Sequence, residues 1–404
     1  MSLKSDMSDL SDVSDLSDVS DRERQGRSCP PEGDMGRLSL LKKLAPARVY
    51  RAIRQRGLKG TAQHGVCRLG TLLGRALIGP HVLRINPMDY LCNLRCIMCW
   101  LQFLPLEHLS EMRRIDREEG MKISDYVRLF NGVLPGVQEV NVVGGGEPLL
   151  HPDAIDIMSE IKSRRWIGSL ITNGTLMNET VSKRMVEMRW DMARISANAG
   201  DAETYRLISG ADKFDQLKEN LETYTRLRRD AGVEKQCALA LFYVLQRENI
   251  PTMERMFAFA EEVGANYIYF EKCIPYGEDR WLKPSELKRA QELLESCDRA
   301  SAIPTNARIV LPQLHAEETC IAEKRPFIPA GRCSVGFDEV FITAKGDVCP
   351  CCFSRTVMGN VREQTLRRIW YGERYKEFRR RLINGRFEPY CIVNRCTLQG
   401  VLHD

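Results

Sequence analysis

The chain has 404 residues, of which 43% are hydrophobic and 28% charged, and its formal net charge is +5. This length exceeds one ordinary domain, and the composition is that of a folded globular chain, not of a disordered or collagenous one. The mild basic balance gives no ground for nucleic-acid binding, and no apolar run of about 18 residues supports membrane insertion.

The first element is SDMSDLSDVSDLSDVSD, a Ser-Asp repeat whose period of three fits neither helix nor strand. Residues 1–36 are therefore expected to be a disordered acidic tail. Residues 37–80 form a basic lead-in, read as two or three short amphipathic helices broken at Pro46 and near Gly57 and Gly60. Packing onto the core and attraction to an anionic partner or membrane surface are both open for it. From His81 onward, β-rich runs alternate with helical ones, the pattern of β/α units around a parallel sheet. Strands are predicted at 81–87, 139–145, 167–173, 192–198, 237–246 and 266–273. Together they make an α/β fold, a partial barrel of six β/α units over 81–275. A helix over about 284–300 and a strand in ARIVLPQL are expected to connect it, through 276–330, to a small α+β domain at 331–404. That domain reads as a hairpin, EVFITAKGDVCPC, a basic helix over 364–385 and a tail.

No basic-then-apolar leader precedes these elements, so a cytoplasmic protein is expected. Fifteen cysteines in a reducing compartment point to metal or catalysis before disulfides. CNLRCIMCW places Cys92, Cys96 and Cys99 directly after the first strand. Three thiolates on one tight loop can hold three irons of a [4Fe-4S] cluster and leave the fourth iron open to a ligand. Structural zinc would want four ligands, and no nearby Cys or His completes this set. One unit later, VVGGGEPLLHP ends the second strand with Gly144, Gly145, Gly146 and Glu147. Glycines there let backbone approach a ligand, and the glutamate adds an acceptor.

These two motifs, in this order, resemble the radical S-adenosylmethionine (radical SAM) superfamily over about residues 81–273. The resemblance implies that the open iron chelates S-adenosylmethionine, with Gly145, Gly146 and Glu147 near its amino group and Gly144 also on the cofactor side. It further implies reductive cleavage to a 5'-deoxyadenosyl radical that abstracts a hydrogen atom. Met98 stands where relatives carry an aromatic residue against the adenine, and Trp100 follows the loop. By the same resemblance Asn173, Arg194, Ser196 and Asn198 hold the cofactor. Strand alternation puts Arg194, Ser196 and Asn198 on one face, expected to line the barrel interior, and Tyr269, Glu271 and Cys273 on one face of the last strand. Active sites of β/α barrels lie at the C-terminal strand ends, and Glu271 and Cys273 are the expected substrate-side catalytic pair, Cys273 as hydrogen-atom donor.

Cys333, the group Cys349, Cys351 and Cys352, and the pair Cys391 and Cys396 can complete a four-thiolate site for a second, auxiliary [4Fe-4S] cluster, with zinc as the competing occupant. The region resembles the shortened SPASM domain called twitch. That resemblance selects Cys351, after Pro350, to join Cys333, Cys391 and Cys396, and leaves Cys349 and Cys352 as neighbours.

The expected function is hydrogen abstraction from a small natural-product or carbohydrate-like substrate, giving epimerisation or dehydrogenation. A flavodoxin- or ferredoxin-type reductant is the expected partner, docked on the basic helix. The alternatives are a maturase of ribosomal peptides and a non-enzymatic iron-sulfur electron-transfer protein.

Overall fold

The computed structural model describes residues 62, 65–273, 281–322, 333, 335–352, 354 and 356–388. The acidic tail, most of the basic lead-in, Cys391 and Cys396 lie outside the described residues.

β1 (Val82–Ile85) leads into the cysteine loop, a 3-10 turn at Trp100–Phe103, and helices α1 (Leu106–Glu119) and α2 (Ile123–Asn131). Then follow β2 (Glu139–Val142), α3 (Ala154–Ser163), β3 (Ile167–Thr172), α4 (Glu179–Glu187), β4 (Met192–Ser196), α5 (Ala202–Ser209) and α6 (Phe214–Asp230). β5 (Ala238–Leu245), α7 (Met253–Glu262) and β6 (Tyr267–Lys272) complete the six units. Helices α8 (Pro284–Ala300) and α9 (Ala307–Ala322) precede β7 (Glu339–Ile342), β8 (Asp347–Cys349), β9 (Gly359–Asn360), α10 (Leu366–Trp370) and α11 (Glu373–Ile383). All six predicted barrel strands form.

The strands make one sheet in the order β6-β5-β4-β3-β2-β1-β7-β8-β9. β1 to β6 pair in parallel, which agrees with crossover helices between them. Their outward residues, among them Leu83, Ile85, Val140, Val142, Leu170, Ile195, Leu241 and Phe270, are buried under the helices and form the main core. Their inward residues are of a different kind. Arg84, Asn141 and Ser169 stand in register across β1, β2 and β3, and Val143, Ile171, Phe242, Tyr269, Phe341 and Cys349 form a separate inner cluster.

Three features depart from the sequence reading. ARIVLPQL, expected as a strand, begins α9, with Pro312 inside it. The β-branched pair Ile309-Val310 suggested extension, but Ala307, Val310, Leu314 and Glu317 are buried at helical spacing. The basic helix expected over 364–385 is two helices, α10 and α11, separated at Tyr371 and Gly372. Finally, β7 does not stay within a separate C-terminal unit. It pairs in parallel with β1, Val82 opposite Glu339 and Ile85 opposite Ile342, so the hairpin β7-β8 extends the barrel sheet.

Both edges of the barrel are thereby managed. At the β6 edge, Asn306 accepts from the Phe270 N–H at 2.8 Å and donates to the Phe270 carbonyl at 2.9 Å, covering groups that would otherwise be an open ladder. The last part of the lead-in is helical at 65–73 and reaches the C-terminal helices, where the Ile78 carbonyl accepts from Trp370 Nε1 at 3.0 Å.

Candidate active site

The cysteine loop is held from three sides. Asp116 of α1, 3% exposed, accepts the backbone N–H groups of Tyr90 at 2.6 Å and Leu91 at 2.9 Å just ahead of Cys92. The end of α5 accepts two more: Arg95 N donates to the Ser209 carbonyl and Ile97 N to the Ile208 carbonyl. Gly210 closes that helix in the left-handed region, and a Cβ there would sit 2.8 Å from the Arg95 carbonyl oxygen. On the third side Asn93 accepts from Asn173 Nδ2 at 2.8 Å and donates to Thr175 Oγ1 at 2.9 Å.

The glycines after β2 have a definite steric task. Cβ atoms at Gly145 and Gly146 would lie 2.5 Å from the Asp89 carbonyl oxygen and 2.3 Å from that of Leu91. The two loops therefore touch backbone to backbone: Gly146 N donates to Met88 O and Glu147 N to Leu91 O, each at 2.8 Å. Glu147 is 2% exposed, and its carboxylate accepts from Thr172 Oγ1 at 2.6 Å, Asn173 N at 2.8 Å and Leu149 N at 3.1 Å. Burial pushes its pKa up, and those three donors oppose the shift.

Cys92, Cys96 and Cys99 are each partly exposed on this loop. Burial raises all three thiol pKa values, that of Cys99 to about 12, and Cys96 is raised further by Cys99 and Cys92. Thiols that disfavour ionisation alone, yet influence one another, become stable as thiolates when an iron cluster neutralises them. Their donor chemistry therefore fits a [4Fe-4S] cluster. Among the described residues no three His, Cys, Asp or Glu side chains converge on a single-ion position.

Beside this loop lies a cavity of about 300 Å³. Tyr90 and Trp100, in edge contact at 5.2 Å between ring centroids, form one wall. Gly144 and Gly145 form a second, and the β7-β8 hairpin supplies a third with Phe341, Lys345, Asp347 and Cys349, joined by Cys352 just after it. Arg84 reaches its edge and is ion-paired to Glu339 of β7 at 2.9 Å. Inside the barrel, Asn141 Oδ1, Ser169 Oγ and Gln246 Nε2 are buried with no partner among the described residues. Buried polar atoms in that state are matched by water or by a ligand, so the interior is suited to a polar cofactor such as S-adenosylmethionine.

The predicted site residues divide accordingly. Gly144 and Gly145 reach the cavity, and Asn173 and Glu147 brace the cysteine loop beside it. Arg194 is 1% exposed on the inner face of β4, with Ser196 partly exposed above it. Asn198 has φ of 57°, and its Oδ1 accepts from Val244 N at 2.9 Å, which ties β4 to β5. Met98 is half-buried and is not among the cavity-lining residues, whereas Trp100 is. Glu271 near the end of β6 and Cys273 just after it lie at the opposite edge of the sheet and do not line the cavity. Cys333 and Cys351 both pack in the outer core, while Cys349 faces inward. The sequence reading missed Asp116 and Asn93, which hold the loop, and Asn86, whose Oδ1 accepts from Gly145 N at 3.2 Å and whose Nδ2 donates to Asp89. One acid among the five of α1 carries no spacing signal of its own.

The comparisons with known proteins agree with this arrangement. The Radical SAM superfamily family model matches residues 88–260, which contain Cys92, Cys96 and Cys99. The model of SPASM, an iron-sulfur cluster-binding domain, matches residues 333–397, which contain Cys333, Cys351, Cys391 and Cys396. A probable GTP 3',8-cyclase of Sulfurisphaera tokodaii is 23% identical over 67% of this chain and 80% of its own length. A tungsten-containing aldehyde ferredoxin oxidoreductase cofactor-modifying protein of Pyrococcus furiosus is 24% identical over 71% of this chain and 80% of its own. Among solved structures, Streptococcus suis SuiB bound to S-adenosylmethionine superimposes with a TM-score of 0.56 at 14% identity, over 80% of this chain and 70% of that one. Native anSMEcpe with bound AdoMet gives 0.51 at 17% identity, over 74% and 82%. Both are likenesses of fold. The two domains imply a [4Fe-4S] cluster at an S-adenosylmethionine site and auxiliary cluster binding. Residues 88–260 are thus a radical SAM superfamily domain on a partial β/α barrel, followed at residues 333–397 by a SPASM-type iron-sulfur cluster-binding domain, the domain pair of a radical SAM enzyme with an auxiliary cluster domain.

Proposed function

We propose that this radical SAM enzyme acts on a small polar molecule held in the cavity between the cysteine loop and the β7-β8 hairpin. The observation that carries the reading is the cavity itself: about 300 Å³, at the small end of ligand pockets, with the cysteine loop on one side and the auxiliary region on the other. When bound, S-adenosylmethionine with a reduced four-iron cluster would supply the radical chemistry for hydrogen-atom abstraction from the substrate.

The chain's own residues do the rest. Cys92, Cys96 and Cys99 hold the first cluster, and Asp116, Asn93 and Gly210 fix their loop. Gly144 to Glu147, Asn173, Arg194, Ser196 and Asn198 shape the cofactor side, and Met98 sits at its margin. Cys333 and Cys351, with Cys391 and Cys396, hold the auxiliary cluster. Tyr90, Trp100 and Phe341 exclude water, and Lys345, Asp347 and Asp89 offer opposite charges to a substrate bearing hydroxyl, amino or acidic groups. A hydrogen atom returned to the substrate would come from a thiol. Cys349 and Cys352 line the cavity and Cys273, just past β6, does not, so the cavity favours the first two. Arg367, Arg368 and Arg374 are exposed on α10 and α11 and suit the docking of an acidic flavodoxin- or ferredoxin-type reductant.

The names of the two curated relatives support a small substrate, since one refers to GTP and the other to a cofactor. SuiB, solved with its precursor peptide, supports a peptide instead, but at the level of fold. The test is anaerobic reconstitution, an iron count and a deoxyadenosine assay, then candidate small molecules labelled with deuterium at known carbons. Deuterium in deoxyadenosine identifies the substrate. No deoxyadenosine from the reduced, iron-loaded protein would refute the enzyme reading and favour an electron-transfer protein.

A further inference from the structure

Tyr375 and Arg379 lie one turn apart on the buried face of α11. The Tyr375 hydroxyl donates to the Cys349 carbonyl at 3.2 Å. Arg379 Nε donates to the Gly336 carbonyl at 2.6 Å, and Nη1 to the Trp370 carbonyl at 2.8 Å. Gly336 follows Cys333 closely, and Cys349 shortly precedes Cys351. One turn of helix thus grips both cysteine-bearing segments.

Arg379 is unusual in its surroundings. It is 1% exposed, and its remaining nitrogen, Nη2, is buried with no partner among the described residues. The ion pairs of α11 run through other side chains, Lys376 to Glu373, Arg380 to Glu377 and Arg381 to Glu388. Around the guanidinium stand the rings of Trp370 at 4.4 Å, Tyr375 at 4.7 Å and Phe337 at 5.8 Å. Aromatic faces and two carbonyls offset only part of the cost of burying a full charge. Burial pushes its pKa down to about 10, which still leaves it cationic at neutral pH.

A buried cation with an idle N–H, bonded to one cysteine segment beside a tyrosine bonded to the other, has no anion against it among the described residues. A four-thiolate iron-sulfur cluster is an anion, and its potential responds to local charge and hydrogen bonds. We propose that Arg379 is the counter-charge of the auxiliary cluster and, with Tyr375, the positioning pair that holds the Cys333 and Cys351 segments together. This rests on the reading that those cysteines are ligands. The rival is a purely structural arginine that binds the Trp370 carbonyl at the C-terminal end of α10.

The two are separated by a potential. Full-length protein carrying C92A, C96A and C99A, which retains only the second cluster, is reconstituted anaerobically. Its iron is counted and its midpoint read by EPR-monitored titration. R379M is expected to lower the reduced-to-oxidised ratio at the parental midpoint about tenfold, a fall of about 59 mV for one electron. R379K, which keeps the charge, is expected to hold the parental midpoint. Should R379M not fold, R379Q keeps a donor for Gly336 and is read in its place. An unchanged midpoint with full iron in the neutral variant, or equal falls in the neutral variant and R379K, would overturn the assignment. A parent protein without a second cluster would overturn the ligand reading as well, and the iron count shows this before any Arg379 variant is made.

Discussion

Glu147 Oε2 accepts the backbone N–H of Asn173 at 2.8 Å, joining the ends of β2 and β3, while Asn173 passes its own Nδ2 on to Asn93 of the cysteine loop at 2.8 Å. The glutamate thus reaches the cysteines through one intermediary. A carboxamide at 147 would turn a donor toward a donor. E147Q is expected to lose about 1–3 kcal/mol of stability, the cost of one unsatisfied buried group, and to retain less iron after reconstitution. Urea unfolding and an iron count check both, and a stable, fully loaded E147Q would refute the bracing role.

Gly146 tests the contact between the two loops. A Cβ at this position would meet only backbone, with Leu91 O, C and N at 2.3, 2.8 and 2.9 Å. Backbone cannot rotate away as a side chain can. G146A is therefore expected to cost about 1–3 kcal/mol through overpacking and to displace the segment before Cys92. Thermal melting and deoxyadenosine yield report the two effects, and wild-type values for both would show that the loops part freely.

His151 gives a pH dependence. It is 4% exposed, its Nδ1 accepts from Asp153 N at 3.0 Å, and its Nε2 faces the Met121 carbonyl at 2.9 Å. That pattern requires the neutral ring, protonated at Nε2. Burial lowers its pKa, so the unfolded chain binds this proton more readily than the folded one. Its contribution to stability is present above the ordinary value of about 6.5 and is lost as pH falls through the depressed folded value. Urea midpoints measured between about pH 5 and 8 should rise with pH, and H151Q should flatten that share of the slope. A slope identical in H151Q would remove His151 as its source.

Arg84 and Glu339 join β1 to β7 inside the barrel at 2.9 Å, with side chains 3% and 12% exposed. E339L would leave the cation short of its main partner. The expected loss is about 3 kcal/mol, at the low end for such pairs because Glu139 also acts on Arg84. R84M/E339L should recover part of it, which a double-mutant cycle measures. If the double variant equals the sum of the singles, the pair is not coupled.

Much of this was legible in the sequence because it depends on local order. The alternation of β and helical runs marked all six barrel strands, and the C-x3-C-x2-C loop and GGGEP turn pointed to the domain whose family model matches residues 88–260. Other features depend on contacts between distant segments. α9 was misread because Ile309-Val310 speaks for extension and only packing against α8 and β6 reveals the helical spacing. The pairing of β7 with β1 leaves no trace in either strand, since a parallel neighbour adds nothing to a strand already apolar outside and polar inside. Asp116, Tyr375 and Arg379 were invisible for the same reason: each acts on backbone groups of another segment.

The β1-β7 seam also bears on how the chain is made. The Arg84–Glu339 partners are 255 residues apart, so an emerging polypeptide completes its six-stranded half long before the seventh strand exists. During that interval β1 presents an unpaired ladder to solvent or to another nascent copy. Chains cut before Glu339 would keep that edge open permanently and should self-associate through it. The C-terminal hairpin is in this sense the protein's own edge protector, and a barrel fragment expressed without it would be the wrong reagent for studying the first cluster.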